Sequence, residues 1–284
     1  MSGICNSMSS RRNLPLVVLS DLHLGTFGCH ARELLAYLKG IQPDVLILNG
    51  DIIDIWNFKK SYFPKSHFKV VKRLITMAQK GTEVYYITGN HDELLRRFAD
   101  ADLGRIHLRN SLVLNLGGVR TWFFHGDIFD ASIQNARWLA KLGGWSYDVL
   151  IWVNRWLNVV LERMGREKYS LSKTIKDSVK KAVKYVGDFE VAAAEMAIRQ
   201  GYGRVVCGHI HQPQMRQIQV GDRSIAYLNS GDWIENLTSL EWDGTQWSLY
   251  QHPDVKEPEE EDEKVDATPR HLLSMLLAET QAAS

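Results

Sequence analysis

Cysteine is scarce in this chain. Cys5, Cys29 and Cys207 are its only three among 284 residues, too few and too scattered for a disulfide framework or a cysteine zinc knot. A reducing compartment is therefore expected. Long apolar runs are also missing: no uncharged stretch reaches the roughly 18 residues of a spanning helix. The opening MSGICNSMSSRRN lacks the apolar region of a signal peptide. These absences predict a cytoplasmic protein, with peripheral attachment to the cytoplasmic face of the inner membrane left open. No excess of either charge exists overall, the formal net charge being +1. The balance is uneven along the chain, however. Residues 254–266 carry eight acidic and two basic residues, and residues 131–187 carry eleven basic and four acidic ones. An acidic run of that kind reads as a solvated linker. No internal repeat and no nucleic-acid-binding module is present, so nucleic acid is not an expected partner, and nothing fixes the oligomeric state.

What is present in quantity is short apolar runs that stop at Gly, Asn and Asp. PLVVLS, DVLILN, EVYYIT, RTWFFH, RVVCG, SIAYLNS, LTSLEW and QWSLYQ read as strands, several of them apolar on both faces as in a covered sheet. Amphipathic helical patterns lie between the early ones, at residues 30–39 and 67–79. Alternation of this kind predicts an α/β fold with an antiparallel portion near its end. The expected organisation is a disordered N-terminus over 1–13 and one main domain over 14–253. That domain carries a helical insertion at about 131–199 and is followed by an acidic linker and short helix over 254–284.

Five of the strand candidates end in the same chemistry. PLVVLS leads to Asp21 and His23, DVLILN to Gly50, Asp51 and Asp54, and VYYIT to Gly89, Asn90, His91 and Asp92. TWFF leads to His125, Gly126 and Asp127, and RVVC to Gly208, His209 and His211. Loops at the carboxyl ends of strands in an open α/β sheet face one crevice, so these groups can converge. Asp21 with His23, and His209 with His211, sit two residues apart, which on an extended strand end aims both members to one side. Asp21, His23, Asp51, Asn90, His125, His209 and His211 together form a nitrogen and oxygen donor set without thiolate, suited to Mn, Fe or Zn. Seven donors exceed what one open site recruits. Two divalent metal ions sharing a carboxylate fit better, and such a pair activates water and neutralises charge in an in-line phosphoryl displacement. Glycines 50, 89, 126 and 208 are expected to let the backbone turn sharply beside the ions. Any one of these pieces alone is a common turn or cap; five in order at strand ends form a pattern.

The ordered blocks D-x-H, G-D-x-x-D, G-N-H-D, H-G and G-H-x-H resemble those of the calcineurin-like metallophosphoesterases over about residues 15–250. The resemblance implies a four-layer αββα sandwich of two mixed sheets with a helical lid insertion. It implies that Asp21, His23, Asp51 and His211 hold one ion, and that Asp51, Asn90, His125 and His209 hold the other, with Mn2+ as the leading metal and Fe or Zn as alternatives. It further implies that His91 is not a ligand but stands over the phosphorus, stabilising the transition state or protonating the leaving oxygen, while Asp54 orients its other nitrogen. Asp92 is expected to cap the following helix. Asp127 is expected either to orient a histidine or to complete a turn.

Within that superfamily the chain is similar to the UDP-2,3-diacylglucosamine hydrolase branch of lipid A biosynthesis, which cleaves the pyrophosphate of a nucleotide-linked lipid sugar and carries a helical lid between its H-G and G-H-x-H blocks. Lys173, Lys176, Lys180 and Lys184 share one face of a predicted lid helix, and Trp56 lies in the loop WNFKKSYFPKSHFK after Asp51. Lys173, Lys176, Lys180 and Trp56 are the expected substrate contacts, beside an apolar groove for acyl chains or an anionic bilayer surface. One departure stands out: the best-defined members of the branch have arginine at the position of His91. A nucleotide or nucleic-acid phosphodiesterase and a non-catalytic scaffold of the same fold are the competing readings. The scaffold would be expected to have lost donors that this chain retains.

Overall fold

The computed structural model describes residues 11–55, 63–129 and 171–253, without the side chains of 171–183. Two compact units partition the chain, one of Met1–Asp127 with Ala197–Ser284 and one of Ile128–Met196.

The first unit opens with β1 (Arg12–Leu19), α1 (Ala31–Gly40), β2 (Ile41–Asn49), α2 (Lys65–Gln79) and β3 (Glu83–Ile87). β4 (Asp102–Leu103), β5 (Ile106–Arg109), β6 (Leu112–Leu116) and β7 (Val119–Phe123) follow. After the second unit come β8 (Arg204–Cys207), β9 (Gln214–Val220), β10 (Arg223–Asn229), β11 (Thr238–Trp242) and β12 (Trp247–Gln251). Seven strands form one mixed sheet in the order β12-β11-β1-β2-β3-β5-β4, and five form another in the order β6-β7-β8-β10-β9. β1, β2, β3 and β5 run parallel, as do β7, β8 and β10, whereas β11 returns antiparallel to β1. The fold is thus mixed α/β with two mixed sheets.

Strand alternation explains why the runs are apolar throughout. Val17, Leu19, Leu46, Leu48, Val84 and Tyr86 pack with Leu34 and Leu38 of α1 and with Phe68, Leu74 and Met77 of α2. Their neighbours Leu16, Val18, Ile47 and Ile87 point the other way, joining Phe123, Val206, Leu228 and Leu240 between the sheets. Successive strand residues face opposite sides, so a strand covered on both faces must be apolar at every position. Each fully buried aliphatic side chain contributes about 1.5–3 kcal/mol. β5, β6 and β9 gave no such signal. The burial of β9 is confined to Ile218 within a largely exposed edge, and IHLR and LVLNL are only partly covered.

The N-terminal boundary needs correction, because order begins before residue 14. Arg12 and Asn13 belong to β1, in register with Ile41 and Gln42. Arg12 grips the Glu241 carboxylate with two hydrogen bonds of 2.7 and 2.8 Å, and Tyr37 donates a third of 2.9 Å. These bonds hold Glu241, which is almost wholly buried.

The second unit contains most of α3 (Leu171–Arg199), and within it Phe129 meets Phe189 edge to face at 5.6 Å. Most of the expected insertion, residues 130–170, lies outside the described residues. So do the acidic linker and final helix. Among the described residues no helix is long and apolar enough to cross a membrane.

Arg12→Ala would strip a buried carboxylate of a charged partner. The expected loss is about 1–3 kcal/mol, read as a lower urea midpoint at unchanged slope.

Candidate metal centre

Loops leaving the carboxyl ends of β1, β2, β3, β7 and β8 carry the seven predicted donors. Backbone hydrogen bonds lace the first two loops together: Asp21 N to Gly50 O at 3.0 Å, His23 N to Asp51 O at 2.9 Å, and Asp54 N to Leu24 O at 2.9 Å. Asp21, His23, Asp51, His209 and His211 all have positive φ, between 48° and 70°. The expectation that each two-apart pair projects from an extended strand end is therefore corrected. These side chains converge because the backbone enters the left-handed region, at a cost in strain that tends to mark functional sites.

The glycines act in two different ways. Gly50 and Gly126 have positive φ, as expected of turns. Gly50, Gly89 and Gly208 also leave no space: a Cβ on Gly50 would strike the His125 ring, one on Gly89 the Asp51 carboxylate and backbone nitrogen, and one on Gly208 would lie 2.6 Å from Asp21 Oδ2.

Three groups of side chains each place donor atoms within 4.8 Å of one another: Asp21, His23 and His211; His23, Asp51 and His91; and Asp51, His125 and His209. Asp51 belongs to two of the three, its Oδ2 lying 3.3 Å from His125 Nε2, 3.9 Å from His23 Nε2 and 4.0 Å from His91 Nε2. Its other oxygen is fixed by His91 N at 2.8 Å. Asp21 is held in the same fashion, with Oδ2 on His209 N at 2.9 Å and Oδ1 3.2 Å from His211 Nε2. Asp21 Oδ1, His23 Nε2, Asn90 Oδ1 and His125 Nε2 are all buried without an aligned hydrogen-bond partner. So many orphaned acceptors and imidazole nitrogens in one place would be costly in an ordinary core. They fit divalent cations as ligands.

Electrostatics follows from burial and these short approaches. Burial alone would keep His125 and His211 neutral, but Asp51 and Asp21 outweigh it and push His125 up to about 10 and His211 up to about 9. Burial likewise works against the Asp21 carboxylate, yet His211 and His125 pull it down to about 2. Asp51 is lowered as well, its burial overcome by His125, His23 and His91. His23 goes the other way, to about 4, because burial dominates. It is neutral at physiological pH, so its approaches to the two aspartates are not ion pairs.

Support comes from groups that the sequence did not identify. His125 Nδ1 lies 2.9 Å from Asn49 O, a backbone partner that leaves Nε2 facing Asp51. Asp127 opens the single 3-10 turn Asp127–Phe129, and its carboxylate also pairs with Arg96. Asp92 caps no helix with its side chain; it turns back to Gly89 N, Ile52 N and Tyr86 OH. Asp232, fully buried, lies 4.0 Å behind His211 Nδ1. It sits in a turn that tertiary contact alone places there. Asp54 Oδ2 is 3.3 Å from His91 Nδ1, a buried nitrogen with no aligned hydrogen-bond partner, and the His91 side chain is 30% exposed. Trp56 lies outside the described residues. Lys173, Lys176 and Lys180 are on α3, but their side chains lie outside them too.

Imidazole and carboxylate donors on the carboxyl-end loops of a two-sheet α/β fold define a metal-dependent phosphoester hydrolase. Residues 14–213 match the calcineurin-like phosphoesterase family model, and the chain belongs to that family. Among curated relatives it is 27% identical over 247 residues to a UDP-2,3-diacylglucosamine hydrolase of Aeromonas hydrophila, covering 82% of this chain and 97% of that protein. It is 24% identical over 229 residues to one of Nitrosococcus oceani, covering 78% and 88%. Family membership implies divalent metal ions.

Cation binding must displace the protons that His125 and His211 retain near neutrality. Affinity for Mn2+ is expected to climb as pH rises and to level off once pH passes the values of about 9 and 10. Their stabilisation of the metal-free fold has the opposite dependence: it is complete below the unfolded histidine value of about 6.5 and is lost as pH rises through the folded values. Titration calorimetry in buffers of different ionisation enthalpy would register the released protons, and a pH-independent affinity would contradict the assignment.

Proposed function

We propose that this chain is a two-metal hydrolase of a pyrophosphate bond, converting UDP-2,3-diacylglucosamine to UMP and 2,3-diacylglucosamine 1-phosphate. The observation that carries the reading is the meeting of Asp51 Oδ2 with His125 on one side and His23 on the other. Asp21, His23, Asp51 and His211 would hold one cation, and Asp51, Asn90, His125 and His209 the second. The thiolate-free donor set supports Mn2+, with Fe or Zn as alternatives. When bound, the pair would lower the pKa of the attacking water and offset charge building on the phosphoryl oxygens. The names of the relatives support the lipid-sugar substrate.

His91 belongs to the reacting centre in this reading. Asp54 faces its Nδ1, which leaves Nε2 on the open side near Asp51 Oδ2. As the P–O bond to the departing phosphate breaks, Nε2 holds a proton at that oxygen. The branch's usual arginine would supply fixed charge there; imidazole supplies a transferable proton instead. Asp21 and Asp51, each tied through one oxygen to a backbone N–H, keep the other oxygen oriented without reorganisation. Lys173, Lys176 and Lys180 of α3 and Trp56 are proposed to contact diphosphate, sugar or an anionic membrane surface. The lid is proposed to span about 131–199.

Release of UMP from UDP-2,3-diacylglucosamine by the Mn2+-loaded chain tests the reading. Turnover confined to simple aryl phosphodiesters would favour the nucleotide phosphodiesterase alternative, which the intact GNHD block supports. His91→Ala is expected to lower kcat by about 10²–10⁴ with bound metal retained, measured by turnover and metal analysis together. Unchanged turnover would remove His91 from the reaction.

A further inference from the structure

Asp92 belongs to none of the three donor groups, yet it is fully buried and three donors converge on its two oxygens. Oδ1 accepts from Gly89 N at 2.5 Å; Oδ2 accepts from Ile52 N at 3.0 Å and from Tyr86 OH at 2.6 Å. The bonded amides have meaningful neighbours. Ile52 directly follows Asp51, and Gly89 directly precedes Asn90. β2 and β3 run parallel with Asn49 opposite Ile87, so the loops leaving their ends have no ladder to hold them together. Among the described residues His91 N reaches Asp51 Oδ1 at 2.8 Å, and Tyr86 of β3 also bonds the backbone of Ile53. Asp92 adds a link between the two loops themselves, and Tyr86 anchors it to β3.

We propose that Asp92 is a positioning residue that sets the spacing between the shared carboxylate of Asp51 and the Asn90–His91 pair, and through that spacing the affinity of the second cation. The inference rests on the two-metal reading above. A carboxylate is the group the geometry requires. It accepts from all three donors at once, whereas a carboxamide would turn its own NH2 toward at least one of them. The loops that bear Asp21 and His211 are held by other bonds, among them His209 N to Asp21 Oδ2 and Ser20 Oγ to Gly231 O. Loss of Asp92 should therefore spare the first cation.

Asp92→Asn and Tyr86→Phe in the full chain test this. Mn2+ affinities and stoichiometry would be measured by equilibrium dialysis, exchange coupling between the two ions by electron paramagnetic resonance, and kcat and KM with bis(p-nitrophenyl) phosphate. For Asp92→Asn the expected result is about a 10- to 100-fold weaker second Mn2+, with the first retained. The coupled signal should be lost and kcat should fall with KM little changed. Tyr86→Phe, which keeps both backbone bonds, should shift the same quantities less. A folded Asp92→Asn that binds two coupled Mn2+ as tightly as wild type overturns the proposal. Should Asp92→Asn fail to fold, Tyr86→Phe decides: a weakened second ion supports the role and a wild-type second ion refutes it. Wild-type protein that binds fewer than two Mn2+ would sink the two-metal reading and this inference with it. A second ion bound as tightly in both variants as in a two-ion wild type would sink the inference alone.

Discussion

One carboxylate organises the centre of this molecule. Asp51 gives one oxygen to the backbone N–H of His91 and turns the other toward the imidazoles of His125, His23 and His91. A buried anion in that position is tolerable only because charge is available to meet it, from protonated His125 in the metal-free chain and from cations when they bind. The surrounding architecture serves that placement. The backbone of Asp51 adopts a left-handed conformation, Gly89 leaves the room its carboxylate occupies, and the loop after β1 is hydrogen-bonded to it along its length.

Strain and rigidity are therefore complementary here. Parallel strands with both faces buried end at one level and give the loops fixed starting points. The loops then spend the stability of that core on unfavourable torsions and unpaired polar atoms. Buried groups behind the donors, including Asn49 O behind His125 and Asp232 behind His211, limit the freedom of the imidazoles. An apparatus held this tightly changes little between ground and transition states, which suits catalysis by fixed electrostatics.

What was legible in the sequence had a local signature. Eight apolar runs became β1, β2, β3, β7, β8, β10, β11 and β12; for all but the partly exposed edge strand β12, burial on both faces along much of the strand demands apolar residues at consecutive positions. The donors stood out because polar side chains interrupted those runs abruptly. Strands at partly covered or exposed places, such as β9, had no such pattern to show. The role of Asp92 was misjudged, and the partner of Asp127 missed, for a related reason. A helix-capping aspartate and one that reaches back to Ile52 N look the same in sequence, and Asp127 finds Arg96 only through tertiary folding. Backbone partners such as Asn49 O have no side-chain signature at all. The expectation of alternation at Asp21 and His23 failed because strand geometry ends at Leu19, before the donors begin.

The account stands or falls on Asp51 joining two cations. Crystals grown with Mn2+ and measured at an energy where manganese scatters anomalously would show this directly. Two peaks about 3.5–4 Å apart, both within bonding distance of the Asp51 carboxylate, are the predicted result. A single peak, or two peaks that share no ligand, would contradict it.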